Sequence, residues 1–142
     1  MTIGIDYIGV SAGVVIFKDN KVFMALRSNK ARDDQGKWEF PGGSVNFNES
    51  RKQASQRNIK DKYNIEFNIR QILDVYDVID PENKDHWLST TFLGDFVSGE
   101  PSIVYPDKSE QIGWFSLNQV KNMNISRITK LNLKSLDKLC LC

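Results

Sequence analysis

The 142-residue sequence predicts an α+β fold, a mixed β-sheet with helices packed on it. Three observations lead there. Segments with strand-like composition outnumber those with helical spacing. One helical segment is inserted after the third strand. A second helical pattern closes the chain. With 40% hydrophobic and 26% charged residues the composition is that of a globular protein, and residues 1–142 are expected to form a single domain.

The elements follow in order. Val10 to Phe17 and Lys21 to Arg27 read as strands, joined at Asp19-Asn20 by a tight turn, since both residues tolerate positive φ. Ser28 to Lys37 is polar and charged, hence a loop. Trp38 to Phe40 is a short strand halted by the turn signal Pro41-Gly42-Gly43, and alternation is expected to turn one of Trp38 and Phe40, not both, toward the core. Asn48 is expected to cap a helix, with Glu49 at the positive end of its dipole. That helix runs to about Tyr63 and stops at Asn64, which accepts the left-handed conformation. Ile65 to Val78 is β-rich, Asp80-Pro81-Glu82-Asn83 turns, and Trp87 to Val97 is a strand broken by Ser98-Gly99-Glu100-Pro101. Gly113 to Phe115 is short and extended, and Leu117 to Met123 is a short helix. Ile125, Ile128, Leu131, Leu136 and Leu139 have the spacing of one face of a C-terminal helix.

Composition excludes several classes. A net charge of +1 demands neither a nucleic-acid nor a membrane partner. No run of eighteen or more apolar residues offers a membrane span. The opening MTIGIDYIGVSAGVVIF lacks a basic region and carries Asp6, so it reads as a strand rather than a signal peptide. Cys140 and Cys142 are too few for zinc, which takes four ligands, and are expected as free thiols in a cytoplasmic protein.

In GSVNFNESRKQASQRNIKDKYNI, from Gly43 to Ile65, a Gly is followed after five residues by Glu49 and after seven more by Arg57, with aliphatics at Ile59 and Ile65. This spacing resembles the box of the Nudix (MutT-like) hydrolases. WEFPGGSVNFNES resembles the strand and loop that lead into the box helix, HWLSTTFLGDFVSGEP a later strand and turn, and DKSEQIGWFSLNQV the closing stretch. The likeness spans roughly residues 8 to 122 and implies a mixed sheet packed between helices, an α/β/α sandwich. It implies hydrolysis of a pyrophosphate bond in a nucleoside diphosphate derivative or nucleoside triphosphate, with Mg²⁺ or Mn²⁺ as cofactor.

The box face departs from that pattern. Residues 58, 61 and 62 stand at i, i+3 and i+4 and are expected on one helical face. The family carries carboxylates there, which gather hard cations. This chain has Asn58, Asp61 and Lys62, a formal sum of zero. At roughly 4 Å and an effective dielectric of about 20, two unit charges interact by about 4 kcal/mol, so Lys62 opposes a nearby cation. The resemblance implies metal contacts from the Gly43 carbonyl, Asp61 and Glu110, with Asp61 and Glu110 as catalytic carboxylates. Glu49 and Arg57 are expected to brace the box as an ion pair. Arg27, Arg32 and Lys62 are expected to meet phosphate oxygens, and Phe40 and His86 to meet other parts of the substrate.

Three readings stay open: a hydrolase of reduced or altered activity, an inactive nucleotide-binding or sensing domain with Lys62 facing a diphosphate, and an interaction scaffold. The C-terminal helix leaves a homodimer open.

Overall fold

The computed structural model describes residues 1–82 and 84–139. Asn83, Cys140 and Cys142 therefore lie outside the described residues, and so does what the sequence suggests for them. The element order is β1 (Gly9–Lys18), β2 (Lys21–Arg27), β3 (Trp38–Glu39), β4 (Gly42–Ser44), α1 (Arg51–Tyr63), β5 (Glu66–Asp80), β6 (Asp85–Ser98), β7 (Ser109–Phe115), α2 (Leu117–Lys121) and α3 (Arg127–Lys138).

All strands share one mixed sheet with the path β3-β2-β1-β6-β5, to which β4 adds beside β1 and β7 beside β2. The expected hairpin forms, with Asp19 at φ 50° and Asn20 at φ 63°. Beyond it β1 and β2 pair only at Phe17–Val22 and Lys18–Lys21 and then separate. β1 continues parallel to β6 from Gly9 to Phe17. β2 continues antiparallel to β7.

The gap between the diverging strands is spanned by residues 38–44. Its first half pairs with β2, Ala25 facing Glu39 and Leu26 facing Trp38. Its second half pairs with β1, Ser11 facing Ser44 and Gly13 facing Gly42. Pro41 marks the crossing, and its carbonyl accepts from Val14 N at 3.0 Å. The sequence reading of Pro41-Gly42-Gly43 as a turn is thus corrected, because Gly42 and Gly43 belong to a strand. Their lack of a Cβ serves close approach rather than a left-handed turn. A Cβ on Gly42 would stand 2.7 Å from Gly13 Cα, and one on Gly43 would stand 2.5 Å from Asn58 Oδ1.

Side chains alternate across the sheet with the two-residue period of strands and build two cores. Val14, Ile16, Phe23 and Ala25 pack with Ile59 and Tyr63 of α1 on one face. Val15, Val22 and Met24 pack with Val120, Ile125 and Leu136 on the other. β1 is buried on both faces, which accounts for its nearly continuous apolar run. Trp38 and Phe40 both pack in the second core, a correction that follows from their i, i+2 spacing on one face of a strand.

Helix α1 begins two residues later than expected. Its N-cap is Ser50, in a capping box with Gln53, while Asn48 takes φ 67° in the preceding loop. Asn64 closes the helix at φ 59° and ψ 39°, as its side chain permits. Of the expected aliphatic stripe Ile125 and Leu136 are buried, and the rest of the buried face of α3 is polar: Thr129, Asn132 and Ser135. Ile128 and Leu131 are half-buried and Leu139 is exposed. The reason is the polar stripe that α3 covers: Asn132 Nδ2 donates to Thr91 Oγ1 at 2.9 Å, and Tyr76 donates to Ser135, which donates to Asp74. No described helix is long and apolar enough to cross a membrane.

Replacing Gly42 by Ala forces β4 away from β1 and is expected to destabilise the fold by about 1–3 kcal/mol, the usual cost of overpacking. Urea denaturation at equilibrium measures it.

Candidate functional site

The divergence of β1 and β2 opens a cleft of about 510 Å³. Its floor is Ser11 to Val14 of β1 and Gly42 to Ser44 of β4, and one wall is α1 through Arg57, Asn58, Lys62 and Tyr63. The rest of its lining is Arg27, the 31–34 loop, Trp87, Ser89 to Thr91, Lys108, Ser109 and Arg127. Six cationic side chains line it (Arg27, Arg32, Arg57, Lys62, Lys108 and Arg127) against the carboxylates of Asp33, Asp34 and Glu39.

The expected brace is present. Arg57 donates through Nε to Glu49 Oε2 at 2.6 Å and through Nη2 to Glu49 Oε1 at 2.9 Å. Arg57 also donates to the Ser44 carbonyl at 3.1 Å, as does Asn58 Nδ2 at the same distance. The loop between β4 and α1 is thus stitched to the helix by a bidentate ion pair and two bonds to one carbonyl. The hydrogen bonds from Arg57 and from the Asn46 amide hold the Glu49 carboxyl down at about 2.

The other arginines are also committed. Arg27 forks onto Glu39 at 3.0 and 3.1 Å and bonds Asp33 at 2.7 Å. Burial raises the Glu39 carboxyl above its ordinary value against the pull of Arg27 and Lys62. Arg127, at the start of α3, lies within 4.0 Å of Asp33, Asp34, Asp80 and Asp85. It ties the 31–34 loop to the β5–β6 turn. The Arg32 guanidinium sits 4.5 Å from the centre of the Trp87 ring, a cation–π stack at the mouth of the cleft.

Lys62 stands apart. Its Nζ donates to the Gly42 carbonyl at 2.7 Å. Burial and the charge of Lys108, with smaller contributions from Arg27 and Arg57, lower its ammonium to about 8. Tyr63 beside it shares a 2.7 Å hydrogen bond with Ser109, and burial pushes its phenol up to about 12.

The structure brings together in the cleft Arg27, Arg32, Phe40, Gly43 and Lys62 from the residues singled out in the sequence. Phe40 enters as a buried core side chain at the wall. The remaining expectations do not converge. Asp61 is exposed and outside the lining, so the idea that residues 58, 61 and 62 share one working face is corrected. At about 100° per residue, 61 and 62 fall on opposite flanks of 58, and the cleft sees the flank of Lys62. Glu110 is exposed and accepts from the Asn29 amide at 3.1 Å, away from the cleft. His86 is half-buried and lies outside the lining, because on β6 it alternates with Trp87. Glu39 and Lys108 were missed. The alternation of Trp38-Glu39-Phe40 could have turned Glu39 to the cleft, whereas the folding of a distant loop alone delivers Lys108.

This donor set does not fit a divalent cation. Asn58 is neutral and bonded to Ser44, Asp61 faces solvent, and Lys62 presents an ammonium. Among the described residues no three His, Cys, Asp or Glu side chains are gathered as a cation requires.

Comparison with known proteins agrees with this frame. A family model described as NUDIX domain matches residues 8–136. An ADP-ribose pyrophosphatase of Methanocaldococcus jannaschii is 28% identical over 114 residues, covering 80% of this chain and 65% of that protein. An 8-oxo-dGTP diphosphatase of Proteus vulgaris is 38% identical over 65 residues, 46% of this chain and 57% of that protein. The matched segments thus span less than two thirds of either relative. The crystal structure of a MutT NUDIX hydrolase from Burkholderia pseudomallei superimposes with a TM-score of 0.83 at 31% identity, covering 90% of this chain and 97% of that one.

Two pH effects follow. Glu49 titrates near 2 when folded and near 4.5 when unfolded, so the stability it contributes is complete above pH 4.5 and lost as pH falls toward 2. Glu49→Gln is expected to flatten that acid limb in a pH series of melting temperatures. Lys62 has the opposite sign. Its ammonium loses its proton near 8 when folded and near 10.5 when unfolded, so wild-type stability gains between those values as the buried charge disappears. Lys62→Met is expected to lack that gain, read as the wild-type minus variant difference over the same range.

Proposed function

The chain belongs to the NUDIX domain family, and on that premise we propose that its cleft binds the linked phosphates of a nucleoside diphosphate derivative or nucleoside triphosphate and hydrolyses them with reduced activity. The observation that carries this is the cationic lining of a cleft built on the box helix and the glycine strand β4. Polyphosphates carry several negative charges, and the cations of this lining outnumber its carboxylates by six to three, an excess that attracts them. The two relatives named above are called after ADP-ribose and 8-oxo-dGTP, both nucleoside compounds with linked phosphates.

The parts divide by chemistry. The ammonium groups and the amides of the Gly42–Ser44 strand serve phosphate oxygens. The hydroxyls of Ser11, Ser44, Ser89 and Thr90 line the same space and suit a sugar. Arg32 stacked on Trp87 offers a planar shelf for a base. Asp61 and Glu110 lie outside the cleft, and this reading gives them no part in it. Neutral Asn58 cannot accept a proton at neutral pH, so the box offers no general base at that position.

Purified protein incubated with nucleoside triphosphates, ADP-ribose, dinucleotides and sugar nucleotides tests the reading, with products separated by chromatography. Turnover is expected about 10²–10⁴-fold below that of a box with its carboxylates, the share a general base contributes. At least one of these compounds is expected to raise the melting temperature. No product and no thermal shift with any of them would refute the proposal.

A further inference from the structure

Resting on that reading, we propose that the Lys62 ammonium takes the place of the family's divalent cation, and that the cleft selects the metal-free form of a diphosphate over its magnesium chelate.

The position comes first. Residue 62 is one of the box positions, and its side chain enters the cleft and bonds the Gly42 carbonyl on β4 at 2.7 Å. This is the meeting point of the box helix and the glycine strand. An ammonium has three donors and Gly42 uses one. Gly42 is the one hydrogen-bond partner of Nζ among the described residues, so two donors are open to phosphate oxygens.

The charge balance comes second. Arg27 is neutralised by Glu39 and Asp33, Arg57 by Glu49, and Arg127 by its surrounding aspartates. Lys62 and Lys108 line the same cleft and form no salt bridge among the described residues; the one carboxylate that attracts Lys62, Glu39, is already held in the fork of Arg27. Two ammonium groups facing one space repel each other, and an anion between them removes the repulsion. A diphosphate carries the charge to do so. Its magnesium chelate carries two fewer negative charges and brings a dication toward Lys62, where the described residues gather no set of three acidic or imidazole ligands to receive it. Magnesium therefore competes with this site for the diphosphate instead of completing it.

Calorimetric titration with ADP and with inorganic pyrophosphate, in chelator and in excess magnesium, decides the matter. The expected result is a dissociation constant at least about tenfold lower in chelator than in magnesium. In chelator, Lys62→Met is expected to weaken binding by a similar factor, and Lys62→Arg to retain most of it. The thermal melt of each unliganded variant verifies its fold, and the metal comparison on wild-type protein needs no variant. Binding that requires magnesium would overturn this inference and leave the proposed function standing. Equal affinity in both conditions, unchanged in Lys62→Met, would also overturn it. No binding of either probe, together with no response to any nucleotide in the turnover panel, would remove both.

Discussion

The early separation of β1 from β2 is the constraint on which the rest depends. The two strands pair at the hairpin end and no further, so backbone groups that would face each other must find partners elsewhere. Residues 38–44 supply them, first to β2 and then to β1. This arrangement requires backbone contact between Gly13 and Gly42 without side chains between them. It also leaves the wedge-shaped space that becomes the cleft. The same parting sends β1 along β6 and β2 along β7, which sets the two cores on opposite faces.

On this frame the box works as a brace independent of its usual chemistry. Glu49, Arg57, Asn58 and the Ser44 carbonyl form a closed set of hydrogen bonds that fixes the loop to α1. None of these bonds needs a metal. A box helix can therefore keep its spacing and position while its metal-binding face changes character. What changes is the sign of the charge presented: an amide and an ammonium stand where carboxylates would converge. Geometry and electrostatics have separated, and function follows the second.

The remaining charges are arranged as supports. Arg27 holds the buried Glu39, and Arg127 gathers aspartates from the 31–34 loop and the β5–β6 turn. Partly buried cations of this kind maintain the shape of the cleft while spending their charge inside the protein. α3 contributes through hydrogen bonds as much as through apolar contact, since its inward face is Thr129, Asn132 and Ser135 beside Leu136. Polar groups shielded from water in this way hold one register, because a shifted helix would leave them unpaired.

Much of this was legible in the sequence. Strand-like composition bounded by turn signals located β1, β2 and β6, positive-φ residues located the hairpin and the end of α1, and the interval from Glu49 to Arg57 marked a pair that forms. These signals are local, or span one helix, and local sterics enforce them. The glycine strand was misread because glycine permits both a turn and a close approach, and only a neighbouring strand distinguishes them. The polar face of α3 was hidden because hydroxyls and amides become interior groups only when a partner such as Thr91 or Tyr76 arrives from another element. The site divides in the same way. The sequence by itself determined which chemical groups the box carries, and hence that positions 58, 61 and 62 sum to no formal charge. Tertiary structure decided that Lys62 turns inward while Asp61 turns to solvent, and that Lys108 joins the cleft from a distant loop. Those outcomes depend on how α1 is rolled against the sheet and on where the chain returns, and neither is encoded at any single position.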